Sequence, residues 1–136
     1  LELEHAANVD EAHRVIGGFG RLQHVGDDLS LAADRLDEVT GFGSLRRIDG
    51  KLSIRGNKRL RRVEDLGDGL HVAGNLEIAE NESLVDVTGL HGVCRVEGDV
   101  VINEDDALSQ QSVLDLLWEI DPLNIDGDIL IDGEEW

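Results

Sequence analysis

Tyrosine and methionine are absent from this chain, and its 136 residues include only two Phe, two Trp, one Pro and one Cys. With so few rings, a core must be filled by Leu, Val and Ile, and aromatic platforms for sugar rings are scarce. The single Cys94 excludes an internal disulfide and leaves the redox compartment open. Positive charge is scarce too: twelve Lys and Arg face thirty Asp and Glu, for a formal net charge of −18. Nucleic-acid backbones and anionic membrane surfaces recruit excess Lys and Arg, so the overall field argues against both as partners. The same field favours solubility and opposes self-association, and a monomer is expected. No run reaches the roughly 20 apolar residues of a membrane-spanning helix, and no charged-then-apolar leader opens the chain. Leu1-Glu2-Leu3 reads as the middle of a repeat, so a fragment of a longer protein is expected.

What the chain does have is 40% hydrophobic residues and an internal repeat. The segment Gly74-Asn75-Leu76-Glu77-Ile78-Ala79-Glu80-Asn81-Glu82-Ser83-Leu84 returns 24 positions earlier from Gly50 to Leu60, and 24 later from Gly98 to Leu108. Each unit opens on an apolar residue in the series Val25, Ile48, Val72, Val96, Ile125. Two residues on come Asp27, Gly50, Gly74, Gly98 and Gly127, where glycine suits a positive φ or a close approach of backbones. The pairs Leu29/Leu31, Leu52/Ile54, Leu76/Ile78, Val100/Ile102 and Ile129/Ile131 follow, the alternation of a short half-buried strand. An Asn or Asp column succeeds them at Asp34, Asn57, Asn81 and Asp105, then apolar columns at Leu36/Leu60/Leu84/Leu108, Val39/Val63/Val87 and Phe42/Leu66/Leu90. A period of about 24 with one such strand per unit means a solenoid whose coils stack at about 4.8 Å.

Two segments break the period and read as helical covers. Ser109 to Ile120 puts Val113, Leu116, Leu117 and Ile120 on one helical face, with Ser109 as N-cap and Pro122 as the stop. Near the start, Asn8 to Val15 carries a capping pattern at Asn8 and Glu11.

The coil from Val72 to Leu90, matched by Ile48 to Leu66, resembles the receptor L-domain family, and within it the bacterial branch with coils of the form V-x-G-(D/N)-L-x-I-x-x-N-x-x-L-x-x-(V/L)-x-G-L. The insertion from Ala107 onward is similar to that branch as well, and the resemblance covers about residues 16 to 133. It implies a leucine-rich-repeat-like, right-handed β-helix and an extracellular, cell-surface recognition role. It transfers no catalytic or binding residue. Asp34, Asp105 and Asp27 depart from its Asn and Gly columns.

The fold expected is therefore α/β or mainly β: a right-handed β-solenoid of about five coils of 23–29 residues with short capping helices. It forms one domain over residues 1–136, with an N-terminal coil and cap at 1–24, regular coils at 25–108, and a helix plus last coil at 109–136. The Asn column is expected to be an interior ladder satisfying backbone groups. The strand positions facing outward form the widest surface, with ligand contacts expected at Ser53, Arg55, Glu77, Val101 and Leu130. Eight of the twelve basic residues lie between Arg46 and Arg62, either an anion-binding patch or one side of cross-coil pairs joining Arg61 and Arg62 to Asp37, Glu38 and Asp86. His24, Arg47, His71 and Arg95 share a column. The acids Asp99, Asp105, Asp106, Asp126, Asp128 and Asp132 invite a Ca²⁺ reading, but no calcium-binding spacing occurs, and no metal or cofactor is expected. Cys94, placed near the core, reads as an inert thiol. A non-catalytic recognition or scaffold module for a protein or glycan ligand is the preferred function; the alternatives are a carbohydrate-active β-helix enzyme and a structural spacer of a surface protein.

Overall fold

A computed structural model describes residues 2–3, 9–10, 15–16, 19–32, 36–66 and 68–135, the first three pairs by backbone alone. It is mainly β, a solenoid of about three turns with one α-helix. In chain order, β1 (Glu2–Leu3), β2 (Val9–Asp10) and β3 (Val15–Ile16) precede the regular coils. The first coil holds β4 (His24–Val25), β5 (Leu29–Leu31) and β6 (Glu38–Val39); the second holds β7 (Arg47–Ile48), β8 (Leu52–Arg55) and β9 (Arg62–Val63). Then come β10 (Leu70–Val72), β11 (Leu76–Ala79), β12 (Val93–Val96) and β13 (Val100–Asn103). The helix α1 (Gln110–Ile120) and the hairpin β14 (Ile129–Ile131) and β15 (Glu134–Glu135) close the series.

Three sheets run along the solenoid. The widest has the order β1-β5-β8-β11-β13-β14-β15; the others are β12-β10-β7-β4 and β2-β3-β6-β9. Coil-to-coil pairing is parallel, and its register is the repeat made visible. Leu29, Leu52, Leu76, Val100 and Ile129 stand side by side, and so do Leu31, Ile54, Ile78, Ile102 and Ile131. On the second sheet Val25, Ile48, Val72 and Val96 align, and a bridge adds Ile125. Stacking identical apolar positions fills one continuous core, with Leu36, Leu60 and Leu84 at its next corner and Phe42, Leu66 and Leu90 beyond. Phe19 stacks on Phe42 at 5.0 Å between ring centres, the only ring pair among the described residues.

The glycine column is there for closeness, since none of Gly50, Gly74, Gly98 and Gly127 has a positive φ. A β-carbon on Gly74 would lie 2.7 Å from the Gly50 carbonyl carbon, and one on Gly98 would lie 2.8 Å from that of Gly74. Their backbones also bond in sequence: Gly74 N–H to Gly50 O at 2.8 Å, Gly98 N–H to Gly74 O at 3.0 Å, Gly127 N–H to Gly98 O at 3.0 Å. Positive φ occurs in another column, at Gly56, Glu80 and Glu104, where each coil turns after its widest-sheet strand.

The helix at 110–120 forms as its spacing predicts. Ser109 Oγ accepts from Ser112 N–H at 3.1 Å, and Val113, Leu116, Leu117 and Ile120 are buried against the core. Asp121 breaks the helix with φ +65°, and Pro122 opens a short 3-10 turn. The helix expected over Asn8 to Val15 is corrected. Val9–Asp10 and Val15–Ile16 are antiparallel strands, and Val15–Ile16 joins Glu38–Val39 in the third sheet. A segment of eight residues gains little from helix propagation after its nucleation cost, whereas an open sheet edge rewards β-branched residues at once. Asn8 and Glu11 lie outside the described residues, as does Asp34 of the Asn column. A second correction concerns Cys94, which is exposed on β12 because the register with β10 shifts there: Val93 stands opposite Leu70 and Arg95 opposite His71, and Cys94 between them bulges outward.

Substituting Gly74→Ala is expected to destabilise the fold by about 3 kcal/mol, since backbone rather than a flexible side chain blocks the new methyl. Chemical denaturation checks this, with Gly43→Ala, which meets open space, as the tolerated control.

Candidate functional site

The outward face of the widest sheet carries the predicted contacts. Register sets Ser30, Ser53, Glu77, Val101 and Leu130 in one row across five strands. Arg55 stands in the next row with Ala79 and Asn103. Four of the five sequence-derived contacts thus share a row, and the fifth adjoins it.

Their surroundings differ. Ser53 is only 7% exposed, and Ala79 is 4% exposed, so the floor of the face between its larger side chains offers a ligand little area. Arg55 bridges two acids of the following coil: Nη1 donates to Glu77 Oε1 at 3.0 Å and Nη2 to Glu80 Oε1 at 2.6 Å. Glu80 reaches it from the left-handed turn position at φ +58°. The hydrogen bond and charge of Glu80, then the charge of Glu77, hold the guanidinium more firmly protonated than usual. Val101 and Leu130 are neighbours and only half-buried, an apolar pair beside this clamp. Leu130 is flanked on its other side by Glu135 of the antiparallel β15.

One row further, the residues after the glycines do a job that their charge concealed. Asp28 Oδ1 accepts Lys51 N–H, Asn75 Oδ1 accepts Asp99 N–H, and Asp99 Oδ1 accepts Asp128 N–H, each at 2.8 Å. Asp132 Oδ1 takes Glu104 N–H at 3.0 Å. These side-chain oxygens, three of acids and one of an amide, are backbone acceptors that tie coil to coil. Among the described residues no group of three His, Cys, Asp or Glu is placed to hold a metal ion. The recurrence of Asp or Asn directly after the glycine column was the available signal.

The charged column on the second sheet is a connected chain. His24 Nε2 lies 2.8 Å from Asp49 Oδ2, and Arg47 Nε donates to Asp49 Oδ1 at 2.6 Å. Arg47 Nη1 donates to His71 Nδ1 at 3.0 Å, while His71 Nε2 faces Glu97 Oε1 at 3.0 Å. Arg95 pairs with Asp126 at 2.6 Å. The hydrogen bond from His24, followed by that from Arg47, holds the Asp49 carboxyl below the usual carboxylate range.

Four of the eight residues of the basic segment, Arg47, Arg55, Arg59 and Arg62, have acid partners, and those of Arg59 and Arg62 differ from expectation. Arg62 does stand between Glu38 and Asp86 in register. Its guanidinium, however, turns along its own strand to Glu64 at 3.2 Å, and Asp37 takes Arg59 at 3.2 Å instead. Hydrogen bonds from the hydroxyl and backbone N–H of Thr88, with a smaller contribution from the charge of Arg62, keep the Asp86 carboxyl low. Arg59, Arg61 and Arg62 line an open groove with Asp37, Glu38 and Ser83. That lining carries both signs of charge rather than a field of one sign.

The chain matches no family model, no curated protein and no solved structure.

Lys51 occupies the place held by Asp28, Asn75 and Asp99 in the other coils, and an ammonium accepts no hydrogen bond. Lys51→Asn is expected to add the missing coil-to-coil bond to Asn75 N–H and to stabilise the protein by about 1 kcal/mol. Denaturant midpoints of the two proteins at one pH and salt concentration check it.

Proposed function

We propose that this chain is a non-catalytic recognition or scaffold module that binds a protein or glycan ligand through the outward face of its widest sheet. A right-handed solenoid of about five coils, of the receptor L-domain kind, is the form proposed for it. Parallel strands joined by crossovers within one sheet are right-handed in nearly all proteins, which supports that hand. The observation that carries the reading is the row Glu77–Val101–Leu130 beside Arg55. A charged clamp and an apolar pair lie next to each other on a surface held in register by the coil stack. Solenoids commonly bind through such extended faces.

The engagement of the outward acids supports a non-catalytic role. Glu77 and Glu80 are tied to Arg55, while Asp99 and Asp132 are tied to backbone N–H groups. A carboxylate pair for glycoside hydrolysis needs two groups free to exchange protons with a bound sugar. In keeping with the resemblance, the module acts at the cell surface or outside the cell, as a monomer.

The test screens the immobilised protein against a glycan panel and a panel of ectodomains, then repeats any hit with variants. Val101→Asp combined with Leu130→Asp is expected to lower affinity at least about tenfold, the effect of losing roughly 1.4 kcal/mol. Val85→Asp, at an exposed apolar position off this face, is expected to bind as wild type. Undiminished binding by the double variant, with loss in the Val85 variant, contradicts the reading.

A further inference from the structure

The interior ladder that locks the coils ends on an acid, and one oxygen of that acid is left over. In the two amide rungs the roles are fixed. Asn57 Nδ2 donates to Leu31 O and to Asn81 Oδ1, both at 2.9 Å, and Asn81 Nδ2 donates to Ile54 O and to Asp105 Oδ1, both at 2.9 Å. Each Oδ1 also takes the backbone N–H of the previous rung: Asn81 Oδ1 from Asn57 at 3.3 Å, and Asp105 Oδ1 from Asn81 at 3.0 Å. Asp105 therefore fills the acceptor half of a rung in full. Its Oδ2 is buried without a hydrogen-bond partner, the one such side-chain atom among the described residues.

Ile78 is the register partner of Ile54, whose carbonyl accepts the amide of the rung before. A carboxylate has no proton to give to the equivalent Ile78 carbonyl, whereas a carboxylic acid has one. Among the charged groups around the site, Asp132 pushes the same way, while Lys58 and the Arg55 paired with Glu80 oppose it. Asp132 faces it from the end of β14 and raises it, Glu104 and Asp106 flank it in sequence, and Glu80 and Glu82 line the adjoining groove, where Lys58 is the one cation. The joint is also mechanically placed: Asp105 O accepts Leu108 N–H at 2.9 Å, in the turn leading to the Ser109 cap of α1.

We propose that Asp105 is a proton-linked latch between the last regular strand and the covering helix. Neutral, it donates through Oδ2 to the Ile78 carbonyl and completes the ladder; ionised, it leaves Oδ2 buried with no donor inside the joint. Desolvation, against the opposing bonds from the Asn81 side chain and the backbone N–H groups of Asn81 and Asn103, pushes its carboxyl up to about 6 from its ordinary value of 3.8. The sign follows from that order. Below the unfolded value both states hold the proton and the latch is fully closed. As pH rises towards and through the folded value the unfolded state has already released it, and stability falls, levelling off above.

The experiment compares wild type with Asp105→Asn, whose amide donates at every pH, by denaturation from pH 4 to pH 8, and follows the Asp105 carboxyl of wild type by carbon-13 NMR. A rise from 3.8 to about 6 corresponds to about a hundredfold change in the unfolding constant across that range, present in wild type beyond whatever Asp105→Asn retains. Asp132→Asn is expected to lower the Asp105 midpoint. Supporting results are a midpoint near 6 and a wild-type pH dependence steeper than that of the variant. A midpoint near 4, or parallel pH profiles for the two proteins, overturns the proposal. If Asp105→Asn does not fold, the carboxyl titration of wild type alone decides.

Discussion

Successive coils of this protein must lie one strand spacing apart, about 4.8 Å, along their whole contact. That distance leaves no room for a side chain wherever backbone passes directly over backbone. Gly50, Gly74, Gly98 and Gly127 occupy those points, and each glycine bonds to the one before it or to Asp27. The same distance lets a short side chain reach the next coil's main chain. Asn57, Asn81 and Asp105 exploit this inside, and Asp28, Asn75 and Asp99 exploit it outside. Apolar burial drives the stack together, and these two polar ladders decide at which offset it stops. A slip by one residue would turn each Leu and Ile of the interior rows towards solvent.

A surface follows from the register with no further assumption. Whatever stands two residues after each glycine is inside, and whatever stands between is outside. Arg55, Glu77, Val101 and Leu130 are neighbours because they occupy related places in different coils, although up to 75 positions separate them in sequence. The exposed ions pair mostly across coils, as Arg55–Glu77, Arg55–Glu80, Arg59–Asp37 and Arg95–Asp126 do. Exposed pairs each add little stability. Their arrangement does disperse an excess of negative charge that would otherwise strain a stack of similar coils.

The interior rows, the Asn ladder, the single helix and its Ser109 cap were legible in the sequence because each repeats or follows a local rule. What escaped was set by contacts that no single coil contains. Val9 and Val15 read as helical until an open sheet edge offered them a strand. Asp99 and Asp132 read as loose acids until the following or preceding coil presented an N–H to each. Ser53 reads as outward, and it is, yet it is too short to emerge among its neighbours. Arg62 sits where expected but turns to Glu64, because long side chains choose among several acids within reach.

Nuclear Overhauser contacts between side chains 24 or so positions apart measure the stacking directly. Methyl groups of Leu52, Leu76 and Val100 are expected to show contacts in that order, with Val100 continuing to Ile129, alongside contacts from the Asn57 side-chain amide to Asn81. Methyl contacts that skip a coil, or that join neighbouring repeats in antiparallel order, would contradict the account.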